Sequence, residues 1–328
     1  MSRLKTTVNV AKTTVNVAIF LVIIGFVWYM VASISREDLS DDASVGESSG
    51  PFLSPYRQVA SFKIPEEINR FDLHDHRLFI SAGQSVYIFD TDGRKLVHFP
   101  VGTDVRDITM NGEDLYILYP TRITVYSING QLIRQWEACS KLSDYCSFTI
   151  VGDAVFVTDA ANKNICKYTT EGNFVKFIQS PANFIIPSYA FDIACWNDTI
   201  YCVNSGRHSV ETYTSDGDFI ASFGGPGSEA GLFAGCCNPV YISFTTGGTF
   251  ITSEKGNPRV SCFNRNGKFK GVWLNRKMLG SGNKAYEVKA MDSKLFVAGK
   301  NKITVFQCGK ASTSACSGCA GGCPKVNN

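Results

Sequence analysis

A short pattern recurs five times along this chain, each time in the same register. In every copy a turn ends in a glycine, an aromatic residue lies four positions before that glycine, and a large apolar residue lies six positions after it. The five glycines are Gly93, Gly130, Gly172, Gly217 and Gly267, and their successive separations are 37, 42, 45 and 50 residues. A partial sixth copy surrounds Phe306. Spacings of this length are typical of the blades of a β-propeller.

The segments between these glycines have the composition of short antiparallel strands. Runs such as LFIS, LYILY and VFVTD are rich in β-branched and aromatic residues, and most of the turns carry Asp-Gly or Asn-Gly pairs. The sixth repeat contains only three such runs, whereas residues 57–64 have the apolar spacing of a fourth strand. We therefore expect an all-β fold, a six-bladed β-propeller over residues 57–308, with residues 57–64 completing the last blade. This closure would leave no free sheet edge at the junction.

Composition narrows the classes of function. Apolar residues make up 44% of the 328 residues, which is enough for a substantial core. The net charge of +3 gives no electrostatic case for a nucleic-acid partner, which requires a concentrated basic surface. Twelve cysteines are many for a chain of this size. They indicate disulfides, a metal site or a redox role, depending on the compartment.

The N-terminal segment has the pattern of a membrane anchor. Residues 13–35 contain no charged side chain, and these 23 residues are long enough for a transmembrane helix. Basic residues precede this span within residues 1–12 and acidic residues follow Arg36, so the positive-inside rule predicts a cytoplasmic N-terminus. Residues 36–56 are acidic, contain several serines and are broken by Gly and Pro, as in a flexible linker. We expect a single-pass protein of the cytoplasmic (inner) membrane, with its propeller on the periplasmic, extracytoplasmic side.

The fifth repeat resembles a known family in detail. Residues 227–273 follow a pattern of glycines and a phenylalanine, a proline, a strand, an acidic-Asn-Arg loop and a closing glycine turn. The matching residues are Gly231, Phe233, Pro239, Glu254, Asn257, Arg259, Val260, Phe263 and Gly267. This stretch resembles an NHL repeat, and the other repeats keep mainly its hydrophobic frame. The resemblance implies an NHL-like six-bladed propeller that serves as a binding platform, and it implies no particular activity. One departure is an insertion, Gly235-Cys236-Cys237-Asn238, before the proline.

Two of the predicted connections between blades carry paired cysteines. Cys236 and Cys237 lie between the fourth and fifth repeats, and Cys139 and Cys146 lie between the second and third. Connections between blades share one face of a propeller, so these four thiols could form a metal or redox site there. The alternative is a pair of disulfides that hold long loops in an oxidising compartment. Because adjacent cysteines rarely bridge each other, Cys236 and Cys237 are expected to have different partners.

The same face is the predicted binding face of the propeller. Loops next to the cysteines contribute polar and charged residues to it: Arg207, His208, Glu254, Lys255, Asn257 and Arg259.

A second cysteine cluster lies in the C-terminal tail, residues 309–328, and at its boundary. Cys308, Cys316, Cys319 and Cys323 include a C-x2-C-x3-C run followed by Pro324, similar to the end of a ferredoxin ligand run. Four thiolates in a chain rich in Ala, Ser and Gly could hold an iron–sulfur cluster. Disulfides and a zinc site are the alternatives.

The sequence contains few residue patterns that are typical of a catalytic site. The chain has four histidines, and His74 and His76 lie at a hairpin of the first repeat, on the face opposite the cysteines. No set of histidines and carboxylates is expected to converge on the channel, and no nucleophile elbow, phosphate loop or zinc-protease helix occurs. The sequence therefore does not predict an enzyme.

The leading hypothesis is a membrane-anchored extracytoplasmic propeller that acts as a protein-binding or scaffold module. The first alternative is an accessory electron-transfer subunit, in which the tail cysteines hold an iron–sulfur cluster and the propeller docks on a membrane redox complex. The second is a propeller hydrolase or lyase.

Overall fold

The computed structural model describes residues 23–25, 28, 54–280 and 282–309. The chain forms two compact units, Met1–Pro51 and Phe52–Asn328. In the first unit the described residues are helical, and the side chains of Ile23, Ile24 and Trp28 are exposed. Among the described residues, no helix is both long and apolar enough to cross a membrane. Most of the predicted anchor, residues 13–35, lies outside the described residues.

The second unit is an all-β, six-bladed propeller, as predicted. Each blade is a four-stranded antiparallel sheet whose strands follow one another in order, except in the last blade. Blade 1 contains β2 (Ile68–His74), β3 (Arg77–Ala82), β4 (Ser85–Asp90) and β5 (Lys95–Pro100); blade 2 contains β6 (Asp107–Asn111), β7 (Asp114–Tyr119), β8 (Arg122–Ser127) and β9 (Leu132–Glu137); blade 3 contains β10 (Tyr145–Val151), β11 (Ala154–Asp159), β12 (Asn164–Thr169) and β13 (Phe174–Ile178).

The remaining blades include two short helices. Blade 4 contains β14 (Ile193–Trp196), β15 (Thr199–Asn204), β16 (Ser209–Thr214) and β17 (Phe219–Gly224); blade 5 contains β18 (Tyr241–Phe244), β19 (Phe250–Glu254), β20 (Arg259–Phe263) and β21 (Phe269–Leu274); blade 6 contains β22 (Val288–Met291), β23 (Lys294–Ala298), β24 (Lys302–Cys308) and β1 (Tyr56–Lys63). A 3-10 helix, Ser205–Arg207, joins β15 to β16, and helix α1, Arg276–Leu279, follows β21.

The last blade joins the two ends of the propeller. Strand β1 lies beside β24 in antiparallel register, with Phe62 opposite Ile303. A strand is thus present where the sequence predicts one at residues 57–64. The backbone N–H of Ile64 also donates to the carbonyl of Asn301 at 2.9 Å. Ring closure therefore rests on backbone hydrogen bonds between residues more than two hundred positions apart.

The recurring glycine turn packs each of blades 1–5 on the blade before it. Gly130 has a φ of 83°, and a Cβ atom there would lie 2.4 Å from Cγ of Phe99. Phe99 is itself the apolar residue six positions after the glycine of blade 1. The same relation joins Gly93 to Phe62, Gly172 to Trp136, Gly217 to Ile178 and Gly267 to Phe223. The glycine is required because the turn needs left-handed backbone and because the neighbouring side chain fills its Cβ position.

Hydrophobic residues fill the six spaces between neighbouring blades. The cluster between blades 2 and 3, for example, combines Tyr116 and Val125 with Tyr145 and Phe148, all buried. Equivalent clusters occur at the other five junctions. Burial of this apolar surface stabilises the ring. Strands β2, β6, β10, β14, β18 and β22 are the first strands of their sheets and surround the channel. The face where they begin is called the upper face, and the face where they end the lower face.

Candidate functional site

Six residues, each lying in an innermost strand or directly before one, form a polar layer across the channel. Each comes directly before a large buried apolar residue, such as Phe71 or Ile108. The six are Arg70, Asp107, Ser147, Asp192, Tyr241 and Glu287, one from each blade, and they are called the channel layer. All but Tyr241 are less than a tenth exposed. Charged groups buried to this degree require partners.

Arg70 contacts every other member of the channel layer. Its guanidinium lies 3.2 Å from Asp107, 2.8 Å from Asp192 and 3.7 Å from Glu287. It also donates to Ser147 Oγ at 3.4 Å and lies 4.8 Å from the ring centre of Tyr241. Burial alone would lower the pKa of Arg70, but the three carboxylates outweigh it, and its pKa is well above the ordinary value. The guanidinium is therefore permanently charged and neutralised within the ring.

The carboxylates of this region join neighbouring blades. Asp107 accepts the backbone N–H of Phe148 at 3.1 Å, and Asp192 accepts that of Ile242 at 2.8 Å. Glu287 accepts the N–H of Phe71 at 3.1 Å, which connects blade 6 to blade 1. Each N–H belongs to an innermost strand, whose channel side has no neighbouring strand. The carboxylates thus satisfy backbone donors that would otherwise be buried without a partner.

Two further charged residues, Asp72 and Lys289, line the cavity below the channel layer. Asp72 of blade 1 accepts the backbone N–H of Met110 and the hydroxyl of Thr109, both at 2.9 Å. Lys289 Nζ lies 3.5 Å from Glu287 Oε1. Burial raises the pKa of Glu287, although Arg70 and Lys289 oppose this effect. In Asp107 burial is the largest single effect and would raise the pKa, but the charges of Arg70 and Lys289 and the hydrogen bonds from Arg70 and Ser147 together outweigh it, and the pKa of that carboxyl is lowered.

The expectation that no set of histidines and carboxylates converges on the channel is wrong with respect to the carboxylates. Asp72, Asp107, Asp192 and Glu287 all lie there, with no histidine among the residues of the channel layer. Sequence reasoning missed them because they are scattered over more than two hundred residues and differ in type between blades. Aligning the first strands of the repeats on their buried apolar residues would have placed them at one level.

The channel layer separates two cavities. The upper cavity has a volume of about 380 Å³ and the lower one about 520 Å³, and both reach Arg70, Ser147 and Asp192. The lower cavity is lined by further inner-strand residues, Asp72 and Lys289 among them. The upper cavity opens among the connections between blades.

Arg106, Asp144, Ser188, Tyr189 and Lys255 form what is called the upper rim. Lys255 Nζ donates to Ser188 Oγ at 2.9 Å, and no carboxylate of the described residues lies within ion-pair distance of it. Arg106 lies 3.5 Å from Asp144 and 5.7 Å from the ring centre of Tyr189. A hydrogen bond to Asp144 raises the pKa of Tyr189, which is 58% exposed. The rim thus presents a cation and an aromatic ring to solvent.

The inserted cysteines form a disulfide with each other, Cys236–Cys237. The expectation of different partners is therefore wrong. Adjacent side chains of an extended chain point to opposite sides, but Cys237 has a left-handed φ of 65°, which ends that alternation. The following residue, Asn238, accepts the N–H of Lys255 at 2.9 Å and donates to its carbonyl at 3.0 Å. This loop therefore positions the backbone of Lys255.

The structure does not bring Cys139 and Cys146 to the Cys236–Cys237 loop as a metal site. Cys139 Sγ lies 3.3 Å from Cys166 Sγ. Cys146 lines the upper cavity, and burial raises the pKa of its thiol to about 12. In the described part of the chain, no three His, Cys, Asp or Glu side chains are grouped as metal ligands would be.

The proposed iron–sulfur ligands lie mostly outside the described residues. Cys316, Cys319 and Cys323 belong to the segment that is not described. Cys308 is buried at the end of β24, opposite Tyr56.

The predicted binding-face residues divide into two groups. Lys255 lines the upper cavity, and Arg207 and Asn257 are exposed. Glu254 and Arg259 are instead buried and paired at 2.7 Å, which corrects their prediction as contact residues. Burial raises the pKa of Glu254, and Arg259 opposes this effect.

Arg259 also donates to the carbonyl of Leu232 at 2.7 Å. The pair therefore fixes the loop before blade 5. His208 is half-buried, and its Nδ1 has no hydrogen-bond partner among the described residues.

Comparisons with known proteins agree with the propeller fold. No protein-family model matches the sequence, and no curated protein matches it either. Virginiamycin B lyase from Staphylococcus aureus matches with a TM-score of 0.55 and 12% identity, over 77% of this chain and 99% of that one. A structural genomics protein of unknown function from Bacteroides thetaiotaomicron matches with a TM-score of 0.57 and 13% identity, over 77% and 72%.

A streptogramin B lyase structure also matches, with a TM-score of 0.53 and 12% identity, over 77% of this chain and 98% of that one. Identities this low carry no activity from one protein to another. The resemblance of the fifth repeat to an NHL repeat stays a prediction. The comparisons establish that this chain contains a six-bladed β-propeller similar in fold to these proteins.

Proposed function

We propose that this chain is a protein-binding module that docks an acidic segment of its partner on the upper rim. The observation that carries the proposal is Lys255, a cation at the mouth of the upper cavity whose side chain has, among the described residues, only the hydroxyl of Ser188 as a partner. An ammonium in this position can accept a carboxylate without first breaking an ion pair. Arg106 provides a second positive charge at the same opening, partly neutralised by Asp144.

The shape of the rim supports a macromolecular partner. The upper cavity, at about 380 Å³, is near the lower limit for a small-molecule pocket. Its edge carries Tyr189, with 58% of its surface exposed. Tyrosine and arginine are enriched at protein interfaces because each combines a large apolar contact with a polar group. We therefore infer that one acidic side chain enters the cavity while the surrounding surface contacts the rest of the partner.

The channel carboxylates support a binding role over a catalytic one. Asp107, Asp192 and Glu287 each accept a backbone N–H of another blade and also lie beside Arg70. A general acid or base must exchange its proton freely with a substrate. Such exchange here would break contacts that hold neighbouring blades together.

The membrane anchor belongs to the same proposal. The uncharged span 13–35, the basic residues before it and the acidic linker after it support an N-in protein with an extracytoplasmic propeller. Protease added to sealed spheroplasts tests this orientation, since it should degrade the propeller. Full protection of the propeller in intact spheroplasts would contradict it.

Site-specific photo-crosslinking tests the binding face. A benzoylphenylalanine in place of Tyr189 in the full-length protein should give a discrete adduct in the native membrane, and the adduct should be lost when Lys255→Glu is added. The matched control places the same photoreactive residue at Asp92, at an exposed turn of blade 1. Adducts of equal yield at both positions, or an adduct that survives Lys255→Glu, would reject the proposed face.

A further inference from the structure

Two cysteines far apart in sequence meet beside blade 3. Cys139 lies in the connection between β9 and β10, and Cys166 lies in β12. Their sulfur atoms are 3.3 Å apart. Cys166 is fully buried, whereas Cys139 is half-buried.

Two tyrosines hold this pair in place. Tyr168 Oη accepts the backbone N–H of Cys139 at 2.8 Å, and Tyr145 Oη lies 2.5 Å from Tyr168 Oη. Tyr145 Oη is also 3.8 Å from Cys139 Sγ. The backbone at Cys139 is therefore hydrogen-bonded to Tyr168 of β12, the strand that also carries Cys166.

Other thiols in the neighbourhood have different surroundings. Cys146 donates to the carbonyl of Asp144 at 3.8 Å, and Cys195 donates to that of Ile150 at 3.4 Å. Among these four thiols, the sulfur atoms of Cys139 and Cys166 are close enough to react with each other, whereas Cys146 and Cys195 each donate to a backbone carbonyl.

We propose that Cys139 and Cys166 are a redox-sensitive pair that closes to a disulfide and ties the β9–β10 connection to β12. A disulfide has a sulfur–sulfur distance of about 2.05 Å, so the two atoms need to approach by about 1.3 Å. A rotation of the half-buried Cys139 side chain can supply this movement. The inference does not depend on the proposed binding function.

The oxidant is a disulfide, either of a dithiol oxidoreductase or of oxidised glutathione. The thiolate of Cys139 attacks one sulfur of that disulfide, forms a mixed disulfide and releases the first donor thiol. Cys166 then loses its proton and attacks Cys139 Sγ, which releases the second donor thiol. Two protein thiols are oxidised to one disulfide, and the donor disulfide is reduced to two thiols. Burial raises the pKa of the Cys166 thiol, so the second step is slow at neutral pH.

The bond would act on the upper rim. The tied connection, residues 138–144, carries Asp144, which contacts both Arg106 and Tyr189. In the oxidised form this connection is tied covalently to β12 at Cys139. In the reduced form it keeps its hydrogen bonds and the Asp144–Arg106 ion pair but has no covalent tie, and we expect it to open locally around the exposed Lys141.

Peptide mapping of the full-length protein tests the bond. After exposure to oxidised glutathione and alkylation, we expect a linked peptide pair containing Cys139 and Cys166, which disappears on reduction. Cys146→Ser should keep the linked pair, and Cys139→Ser should abolish it. Recovery of Cys139 as an alkylated thiol, or linked to Cys146, would overturn the proposal.

Limited trypsin digestion of the wild-type protein, oxidised and reduced, tests the effect of the disulfide on the β9–β10 connection, and Cys166→Ala is the control. Cleavage after Lys141 should be about tenfold slower in the oxidised protein than in the reduced protein, since the disulfide restricts opening of the connection. In Cys166→Ala the same oxidant should leave the rate unchanged. Equal rates for oxidised and reduced wild-type protein would overturn the inference that the bond restrains this connection.

Discussion

The channel layer and the upper rim both carry charged side chains, but these charges have different partners. Arg70 lies among three carboxylates from three other blades, and each of those carboxylates accepts a backbone N–H from the innermost strand of the next blade. Lys255, which lines the upper cavity together with Arg70, has a single side-chain partner in the described part of the chain, the hydroxyl of Ser188. Charged side chains that pair with groups of other blades hold the ring together, whereas a charged side chain at the solvent-facing rim without an ion-pair partner is available to bind another molecule. Position in a propeller channel is therefore not enough to identify a functional residue.

The largest expected effect comes from removing the centre of the channel layer. Arg70→Met leaves Asp107, Asp192 and Glu287 buried without their shared cation, and breaking such a buried network costs about 3–5 kcal/mol in the free energy of unfolding. Arg94→Met is the matched control. Arg94 pairs with Asp90 but is 78% exposed, and an exposed pair contributes about 0–1 kcal/mol. Chemical denaturation measures both. Similar losses for the two variants would remove the distinction between channel and surface charge.

The glycine turns provide a second comparison between packed and open positions. Gly130→Ala places a Cβ atom against Phe99, whereas Gly152→Ala places one in open space, and both glycines have left-handed backbone. Gly130→Ala should therefore be less stable than Gly152→Ala by about 1–3 kcal/mol, the cost of overpacking. Thermal or denaturant unfolding measures the difference. Equal stability of the two variants would show that close packing of the glycine turn on Phe99 does not contribute to stability.

The pH dependence of stability tests the buried state of Glu287. Its folded-state pKa is raised above the ordinary 4.5, mainly by burial, so the folded protein binds more protons than the unfolded chain above that pH. Its contribution to stability therefore decreases as pH rises from about 4.5 towards the folded pKa. Glu287→Gln keeps an oxygen acceptor for the N–H of Phe71 but does not titrate. Hence the stability of the variant relative to wild type should increase with pH across this window.

Glu113→Gln, on an exposed turn, is the control for that series and should retain the wild-type pH dependence. The denaturant midpoint of each protein is measured from pH 4 to pH 7 in steps of about one pH unit, and the stability difference between variant and wild type is followed across this range. A constant difference between Glu287→Gln and wild type would contradict a raised pKa.

The smallest effect on stability is expected at the upper rim. Lys255→Gln removes a cation whose one side-chain partner is a hydroxyl, so the free energy of unfolding should change by no more than about 0.5 kcal/mol. The same change should weaken partner capture by the upper rim. A large loss of stability in this variant would indicate that Lys255 holds the Cys236–Cys237 loop and is not free for a ligand.

The fold could be predicted from the sequence because the repeated residues make the same packing contact between neighbouring blades. The glycine of one turn meets the apolar residue of the preceding repeat across a blade junction, as Gly130 meets Phe99, so both recur in the first five repeats. The channel layer could not be found in this way, since its members change from arginine to aspartate, serine, tyrosine and glutamate around the ring. Their common feature is a register position, not a residue type.

The cysteines show the limit of spacing arguments. Cys139 and Cys166 lie 27 residues apart with no shared motif, and only the register of β12 against the preceding connection brings them together. The Cys236–Cys237 pairing depends on left-handed backbone at Cys237, a residue type that rarely adopts it. Lys255, by contrast, was predicted on the correct face because its loop follows the second strand of a blade, like the other loops of that face.

The most direct test of the account is the affinity of the full-length protein for a labelled oligoglutamate peptide, measured by fluorescence anisotropy at low salt. We predict saturable binding to wild-type protein, with the dissociation constant raised about tenfold by Lys255→Glu, equivalent to about 1.4 kcal/mol. Lys95→Glu, on the exposed outer strand of blade 1, makes the same change in net charge and should leave the affinity within about twofold of wild type. Absence of binding to wild type, or equal weakening by both variants, would contradict an acidic-segment site on the upper rim.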